Sequence, residues 1–262
     1  FRMDPNVPLV VPEVNGEALK DHHGIISCPN CTTIMMCSAL TRLNDEFDIE
    51  RIVVSTYQAV SGAGVAGMEE LYRQSQEVLD GKEPVAKTLP CAGDKKHFPI
   101  AFNCIPQVDK FDLSNGYSKE EMKMVNETKK IFNKDIEVNA TCVRVPVLDG
   151  HTAAVFVNFE KKPTKEQIIE KWRSFRGEPQ ELDLPSAPKQ FIQYLEEDDR
   201  PQVQLDVNYE NGMGVSLGRL REDSVFDYKF IGLSHNTLRG AAGGAVLIAE
   251  LLKAKGYITS KQ

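Results

Sequence analysis

The sequence predicts an α/β (α+β) fold in which strands and amphipathic helices alternate along the chain. Three observations carry this prediction. Residues 50–60 are filled with β-branched and aromatic side chains, which is typical of a strand. Residues 32–43 begin with two threonines and continue with an apolar helical face. Residues 118–121 form a capping box that opens a helix running to about residue 133. With 262 residues, of which 41% are hydrophobic, the chain can bury a sizeable core and form two structural units.

The composition excludes several classes of protein. A net charge of −7 and a pI near 5.4 argue against a nucleic-acid-binding protein, which needs a basic face. No apolar run approaches the roughly 18 residues of a membrane span, and the first residues do not resemble a signal peptide. Six cysteines in a chain of this length, without dense spacing, fit a protein of a reducing compartment. We therefore expect a soluble cytoplasmic protein that binds neither nucleic acid nor membrane.

The remaining elements follow from local signals. Residues 8–14 are an apolar, proline-bounded run that predicts a buried strand or its exit loop, and residues 17–20 predict a helical turn. A helix is predicted over 69–79, then a proline-punctuated loop region over 81–118. In the second half, strands are predicted over 136–147 and 153–159, a capped helix over 164–175, a polar surface excursion over 176–201, two strands within 219–233, and a glycine-opened helix to residue 255.

Cys28 and Cys31 lie where an extended segment gives way to the helix at 32–43. Pro29 ends the extended segment, which places Cys31 at the helix start, where unpaired N–H groups and the helix dipole favour a thiolate. Such a thiolate is a good nucleophile. Three other interpretations stay open at this point: a buried structural cysteine, a dithiol redox pair, and half of a zinc site. The last is disfavoured, because no second C-x-x-C and no histidine pair at ligand spacing follow.

Three further patterns indicate a binding site. Residues 62–67 match G-x-G-x-x-G, but no acidic residue ends a second strand about twenty residues on, so the pattern predicts a loop lining one end of a cofactor site rather than a complete dinucleotide fold. Glu120 and Lys123 share a helical face. Arg144 and His151 flank a strand turn and can converge on one cleft. A solvated ion pair and a structural histidine remain the ordinary alternatives for these four residues.

Five blocks of sequence together resemble the aspartate-β-semialdehyde dehydrogenase family. They are residues 28–33, 55–64, 120–123, 144–147 with His151, and 234–242, in the order of the family and spread over nearly the whole chain. The resemblance implies a mixed-sheet catalytic and dimerisation domain flanked by helices, like the C-terminal domain of glyceraldehyde-phosphate dehydrogenase, with remnants of a Rossmann domain at both chain ends. The implied boundaries are 1–30 for the end of the nucleotide-binding domain, 31–233 for the catalytic and dimerisation domain, and 234–262 for a returning C-terminal helix.

The resemblance also implies a role for eleven residues. Cys31 would be the nucleophile that carries the acyl thioester, and His151 the general acid/base. Asn30 would surround the reacting oxygen, with Gln58 near both substrate and nucleophile. Glu120 would bind the substrate's amino group and Arg144 its carboxylate. Arg2 and Lys123 would bind phosphate. Ser61, Gly62 and Asn236 would lie close to NADP. No metal is implied.

The implied reaction is NADP-dependent conversion of β-aspartyl phosphate to aspartate semialdehyde and phosphate, by a homodimer or tetramer. Family members begin with a nucleotide-binding half carrying G-x-x-G, which does not precede Phe1 in this sequence. We therefore expect the chain alone to have little or no dehydrogenase activity. The alternatives are a non-catalytic dimerisation module, a cofactor-free Cys/His hydrolase, and a related acyl-phosphate reductase such as N-acetyl-glutamyl-phosphate reductase or a glyceraldehyde-phosphate dehydrogenase relative.

Overall fold

A computed structural model describes residues 1–91 and 93–258 and has one mixed sheet of six strands at its centre. The order of the strands is β2-β1-β3-β6-β5-β4. β1 runs parallel to β2, and β4 to β5, while the other neighbours are antiparallel. The strands are β1 Ile49–Gln58, β2 Glu137–Arg144, β3 His151–Phe159, β4 Ile192–Leu195, β5 Val215–Glu222 and β6 Tyr228–Ser234.

The helices are α1 Pro12–Asn15, α2 Cys31–Phe47, α3 Val65–Leu79, α4 Lys119–Phe132, α5 Lys165–Arg173, α6 Glu178–Glu181, α7 Val203–Asp206 and α8 Gly243–Ala254. Two 3-10 turns (Gly16–Asp21 and Val60–Ala63), a turn at Tyr209–Gly212 in which Glu210 and Asn211 have positive φ, and a π-helical turn, Leu238–Ala242, complete the set. The five predicted helices are present in the predicted order, and three short helices, α1, α6 and α7, were not predicted. In the described ranges, no helix is both long and apolar enough to cross a membrane.

The main core lies between α2 and one face of the sheet. Met36 and Leu40 of α2 are buried with Val54 and Val155 of the sheet in the same apolar cluster. Trp172 of α5 joins them, and its indole N–H donates to the Ala39 carbonyl at 2.8 Å. Because α2 is buried along most of its length, this packing fixes the position of the helix on the sheet.

The opposite face of the sheet carries half-exposed apolar side chains. Successive residues of a strand point to opposite faces, so the strand residues that alternate with the core positions lie here. We refer to Val53, Tyr57, Ala154, Phe156 and Ile231 as the open sheet face. Tyr57 is 43% exposed and the other four are partly exposed.

One prediction about elements is wrong, and for residues 8–14, predicted as a buried strand or its exit loop, the strand alternative fails. Residues 176–201 are not only a surface excursion, because β4 lies within them: Phe191 and Ile192 are buried, and Ile192 pairs with Val215. Residues 8–14 are buried as predicted but form no strand. Leu9 makes a single bridge with Ser27, and the chain then turns into α1.

Residues 81–118 are the predicted loop region, since their described part contains no helix or strand. Two buried side chains of α3 hold this loop. Gln74 Oε1 accepts hydrogen bonds from the N–H groups of Ile100 and Ala101 at 2.7 and 3.2 Å, and Glu70 accepts from Lys87 and Leu89. The loop thereby covers one side of the cavity described next.

Candidate active site

One cavity of about 450 Å³ lies where β1 and β2 end and β3 begins. The sheet topology explains the convergence. Gln58 and Arg144 are register partners at the ends of two parallel strands, and antiparallel β3 starts with His151 at the same edge. The cavity brings together all eleven residues singled out from the sequence: Arg2, Asn30, Cys31, Gln58, Ser61, Gly62, Glu120, Lys123, Arg144, His151 and Asn236.

Asn30 determines where α2 begins. Its Oδ1 accepts hydrogen bonds from the N–H groups of Thr32 and Thr33 at 3.0 and 3.2 Å, which makes Asn30 the N-cap and Cys31 the first helical residue. Its Nδ2 donates to Glu120 Oε1 at 2.7 Å, and its backbone N–H donates to Glu127 Oε2 at 2.6 Å. The residue before the thiol is therefore held by three separate contacts.

Gly240 provides the room for Cys31. A Cβ on Gly240 would lie only 2.5 Å from the Cβ of Cys31 and 3.1 Å from its Cα. Any side chain at this position would have to displace Cys31. In the sequence, the small residues at 240–244 predict close backbone packing. The structure shows that Gly240 packs against Cys31.

The pKa of the Cys31 thiol lies above its ordinary value. Burial raises it and Glu120 raises it further, while Thr32 and Arg144 lower it, with a result of about 11. The prediction that the helix start favours a thiolate is therefore wrong for this site as it stands, because desolvation and the neighbouring carboxylate outweigh the groups that stabilise the anion.

His151 is a neutral imidazole in this cavity. Burial and the charge of Arg144 lower its pKa to about 3. Its Nδ1 accepts a hydrogen bond from the Ala59 N–H at 3.1 Å, so in the neutral ring the proton resides on Nε2. That atom lies 3.4 Å from Gln58 Nε2. An Nε2–H in this position can donate a hydrogen bond to an oxygen in the cavity.

Glu120 connects the thiol side of the cavity to its cationic side. Its Oε1 also accepts from Gln58 Nε2 at 3.1 Å, and its Oε2 pairs with Lys123 Nζ at 3.1 Å. Lys123 Nζ donates in addition to Asp109 Oδ2 at 2.8 Å. Burial acts to lower the pKa of Lys123, but Glu120 and Asp109 outweigh it and raise the pKa, so the ammonium form is maintained.

Arg144 is buried beside the thiol, and not all of its N–H groups have a hydrogen-bond partner. Nη1 donates to the Ala59 carbonyl at 2.6 Å, and Nε is buried without a hydrogen-bond partner. Gly62 leaves space for this side chain, since a Cβ there would lie 3.1 Å from Arg144 Nη1. A planar guanidinium with unused donors suits a carboxylate.

The remaining predicted residues lie on two sides of the cavity. Arg2 Nη1 donates to Glu127 Oε1 at 3.2 Å. Asn236 Nδ2 donates to Ser61 Oγ at 2.9 Å, and its Oδ1 accepts from the Gly150 N–H at 2.9 Å. Ser61, Asn236 and Gly62 therefore form a small polar wall of the cavity, and a Cβ on Gly62 would lie 3.7 Å from His151 Nε2.

Sequence reasoning missed several residues of the site. Glu127 lies seven residues after Glu120 and shares its helical face, so helical spacing could have found it. Asp109 had no local signal, because it is placed by the loop 81–118. The described residues that line the cavity without having been singled out are Ala63, Pro90, Cys91, Val108, Asp109, Thr237, Gly240 and Ala241. Within residues 1–91 and 93–258, no group of three or more His, Cys, Asp or Glu could hold a metal ion.

Comparison with known proteins identifies the family. Residues 40–239 match the family described as "Semialdehyde dehydrogenase, dimerisation domain". The chain is 43% identical over 259 residues to the aspartate-semialdehyde dehydrogenase of Bacillus subtilis, which covers 97% of this chain and 70% of the relative. The chain belongs to the aspartate-semialdehyde dehydrogenase family. The enzyme of Aquifex aeolicus is 41% identical over 264 residues, covering 98% of this chain and 71% of the relative.

Solved structures of the aspartate-semialdehyde dehydrogenase family share this fold. Aspartate semialdehyde dehydrogenase II of Vibrio cholerae complexed with ASA matches with a TM-score of 0.86 at 41% identity, covering 98% of this chain and 71% of the other. The Candida albicans enzyme with NADP matches with a TM-score of 0.76 at 33% identity, covering 98% and 69%. The predicted family and the predicted mixed-sheet fold class are thus confirmed, and the chain spans about 70% of the length of these relatives.

Proposed function

We propose that this chain carries the NADP-dependent reductive dephosphorylation of β-aspartyl phosphate to aspartate semialdehyde, a step toward lysine, methionine and threonine. The observation that supports this most is the convergence in one cavity of a thiol, a neutral imidazole, one negatively charged side chain and two positively charged ones: Cys31, His151, Glu120, Lys123 and Arg144. A thiol and an imidazole alone would also suit a hydrolase, but a hydrolase gives no reason for the anchors.

The anchors match the charges of the substrate. The donors of Arg144 fit the α-carboxylate, and the carboxylate of Glu120 fits the ammonium group. Arg2 and Lys123 fit the phosphate. An N-acetylated substrate has no ammonium group and would leave Glu120 without its partner, which disfavours the N-acetyl-glutamyl-phosphate alternative.

The reaction on these residues has two parts. The Cys31 sulfur attacks the acyl carbon, the C–O bond to phosphate breaks, and a thioester forms as the phosphate leaves toward Arg2 and Lys123 and carries off the thiol proton. His151 Nε2–H donates a hydrogen bond to the acyl oxygen and stabilises the negative charge that develops on it when the thioester is reduced, until the C=O bond reforms and the C–S bond breaks to release the Cys31 thiolate. NADPH, when bound beside Ser61, Gly62 and Asn236, supplies the hydride.

Replacing the nucleophile tests this proposal without the cofactor. In Cys31→Ser we expect no acyl adduct on incubation with β-aspartyl phosphate, measured by intact-protein mass spectrometry and by phosphate release, with the melting temperature nearly unchanged. Cys28→Ser is the matched control, since Cys28 is a neighbouring thiol without a proposed role and should keep its adduct. Undiminished acylation in Cys31→Ser would overturn the proposal.

We further propose that residues 31–233 form the catalytic and dimerisation domain and that the chain forms a homodimer. The description of its family as a dimerisation domain supports this, as does the open sheet face, which residues 1–91 and 93–258 leave partly exposed. A dimer with no acyl adduct on Cys31 would instead favour the non-catalytic module.

A further inference from the structure

Glu127 is a buried carboxylate that links two separate parts of the cavity wall. Its side chain is 1% exposed. Oε1 accepts the hydrogen bond from Arg2, and Oε2 accepts the one from the backbone N–H of Asn30. A carboxylate is costly to bury unless its oxygens are paired. Both oxygens of Glu127 are paired with segments that lie far away in the sequence and next to each other at the site.

Glu127 and Glu120 together hold Asn30 at two points. The two carboxylates lie on the same face of α4, seven residues apart, with Lys123 between them. Glu120 binds the side chain of Asn30, and Glu127 binds its backbone. Since Asn30 caps the helix that begins at Cys31, these contacts determine the position of the thiol.

The contact with Arg2 leaves most of the guanidinium available. Glu127 bonds only Nη1 of Arg2, whereas a guanidinium carries five N–H donors. The Arg2 side chain is 41% exposed, so burial alone does not fix its orientation. The carboxylate behind it restricts its orientation while leaving donors directed at the cavity, which lowers the entropy lost when an anion binds.

We infer that Glu127 is a positioning residue, which orients Arg2 toward the phosphate group and anchors the backbone before Cys31. This rests on the proposed function, in which Arg2 binds the phosphate that leaves. Glu127 itself touches neither the reacting atoms nor the phosphate. Its effect on phosphate should therefore pass entirely through Arg2.

The test measures the binding of inorganic phosphate to the full 262-residue chain by isothermal titration calorimetry. Glu127→Gln keeps an oxygen for the Asn30 N–H, replaces the oxygen that faces Arg2 with an NH2 group and removes the negative charge. We therefore expect the phosphate Kd to rise about threefold to tenfold. Alkylation of Cys31 by uncharged iodoacetamide should change by less than about twofold. Glu137→Gln is the control, because it removes the same charge from an exposed ion pair with Arg51 and should leave the phosphate Kd unchanged.

A double variant separates positioning from a merely structural role. Arg2→Met should weaken phosphate binding, and adding Glu127→Gln should weaken it no further, because two residues that act through one contact are not additive. An unchanged Kd in folded Glu127→Gln, or additive losses in the double variant, overturns the inference. If the unaltered chain does not bind phosphate, both the inference and the proposed function are contradicted. If phosphate binding weakens in Arg2→Met but not in Glu127→Gln, only the inference is contradicted.

Glu127→Asp carries the test if Glu127→Gln does not fold. The shorter side chain keeps the charge but cannot reach both Asn30 and Arg2. We then expect a weakened phosphate Kd in the folded Glu127→Asp protein, and an unchanged Kd overturns the inference.

Discussion

The thiol of Cys31 is subject to two charges of opposite sign. Glu120 raises its pKa and Arg144 lowers it, on top of the larger effect of burial. In the proposed complex, the substrate's ammonium group pairs with Glu120 and its carboxylate pairs with Arg144. Each charge is then partly neutralised. Because Glu120 raises the pKa of Cys31 more than Arg144 lowers it, we expect a substrate that pairs with both side chains to lower the pKa of the thiol.

The reactivity of Cys31 toward iodoacetamide should follow its thiolate fraction. Below a pKa of about 11, that fraction rises about tenfold per pH unit, so the rate should climb continuously between neutral and alkaline pH. No inflection is expected near the ordinary pKa of histidine, because the pKa of His151 is lowered to about 3. Glu120→Gln removes a group that raises the pKa of Cys31, and should speed alkylation about threefold to tenfold at a pH of about 8.

Peptide-level mass spectrometry of the Cys31 adduct measures this rate separately from the other cysteines. Glu137→Gln, which loses an equal charge at the surface, should follow the profile of the unaltered chain. A plateau of the rate below about pH 8, or slower alkylation in Glu120→Gln, would contradict the assigned electrostatics.

At the level of residues, the sequence predicts the members of the site better than their ionisation. Cys31 and His151 are in the cavity, but the expected thiolate is wrong, because a helix start is a local signal whereas burial and Glu120 are contributed by distant parts of the chain. Gly240 illustrates the same limit. The sequence shows that residue 240 is small. It does not show that a Cβ there would lie 2.5 Å from the Cβ of Cys31, because this distance depends on how α2 and the 238–242 turn pack.

Among the elements, α4 carries the largest share of the charged site residues and has a capping box at its start. Ser118 Oγ accepts from the Glu121 N–H, and Glu121 Oε2 accepts from the Ser118 N–H. We expect Ser118→Ala to lower the free energy of unfolding by about 1 kcal/mol, measured by urea denaturation. It should also weaken phosphate binding, because Lys123 lies in the second turn of this helix.

Thr164→Ala is the matched control for this prediction. Thr164 and Gln167 form the same box at the start of α5, which contributes no residue to the cavity. A similar loss of stability is expected there, with an unchanged phosphate Kd. Equal effects of both variants on phosphate would show that α4 affects the site only through overall stability.

The elements that local chemistry specifies are the ones predicted from sequence. Both capping boxes and the β-branched run of β1 depend on neighbouring residues, and the structure confirms them. β4 has only four residues and lies in a polar stretch, so its pairing with β5 is decided by tertiary contacts. Asp109 was missed for the same reason, since Gln74 and Glu70 of α3 hold the loop that carries it.

For the whole molecule, the sheet has one face covered by helices and one that this chain leaves half exposed. The register places Ala154 near the middle of the open sheet face, opposite Ser55 on β1 and Ile231 on β6. In a two-fold symmetric dimer, each residue of such a face meets the same surface of the partner. A second copy would bury the apolar side chains of both sheets, which stabilises association.

Ala154→Arg should disrupt this dimer. The substitution appears twice in a symmetric interface and brings two unpaired guanidinium groups into an apolar contact, so we expect the dimer Kd to rise at least about 100-fold. Sedimentation equilibrium measures the change. Ala254→Arg, at the exposed end of α8, is the control and should leave association intact. A dimer of undiminished affinity in Ala154→Arg would show that the two chains meet elsewhere, and the open sheet face would then need another explanation for its apolar side chains.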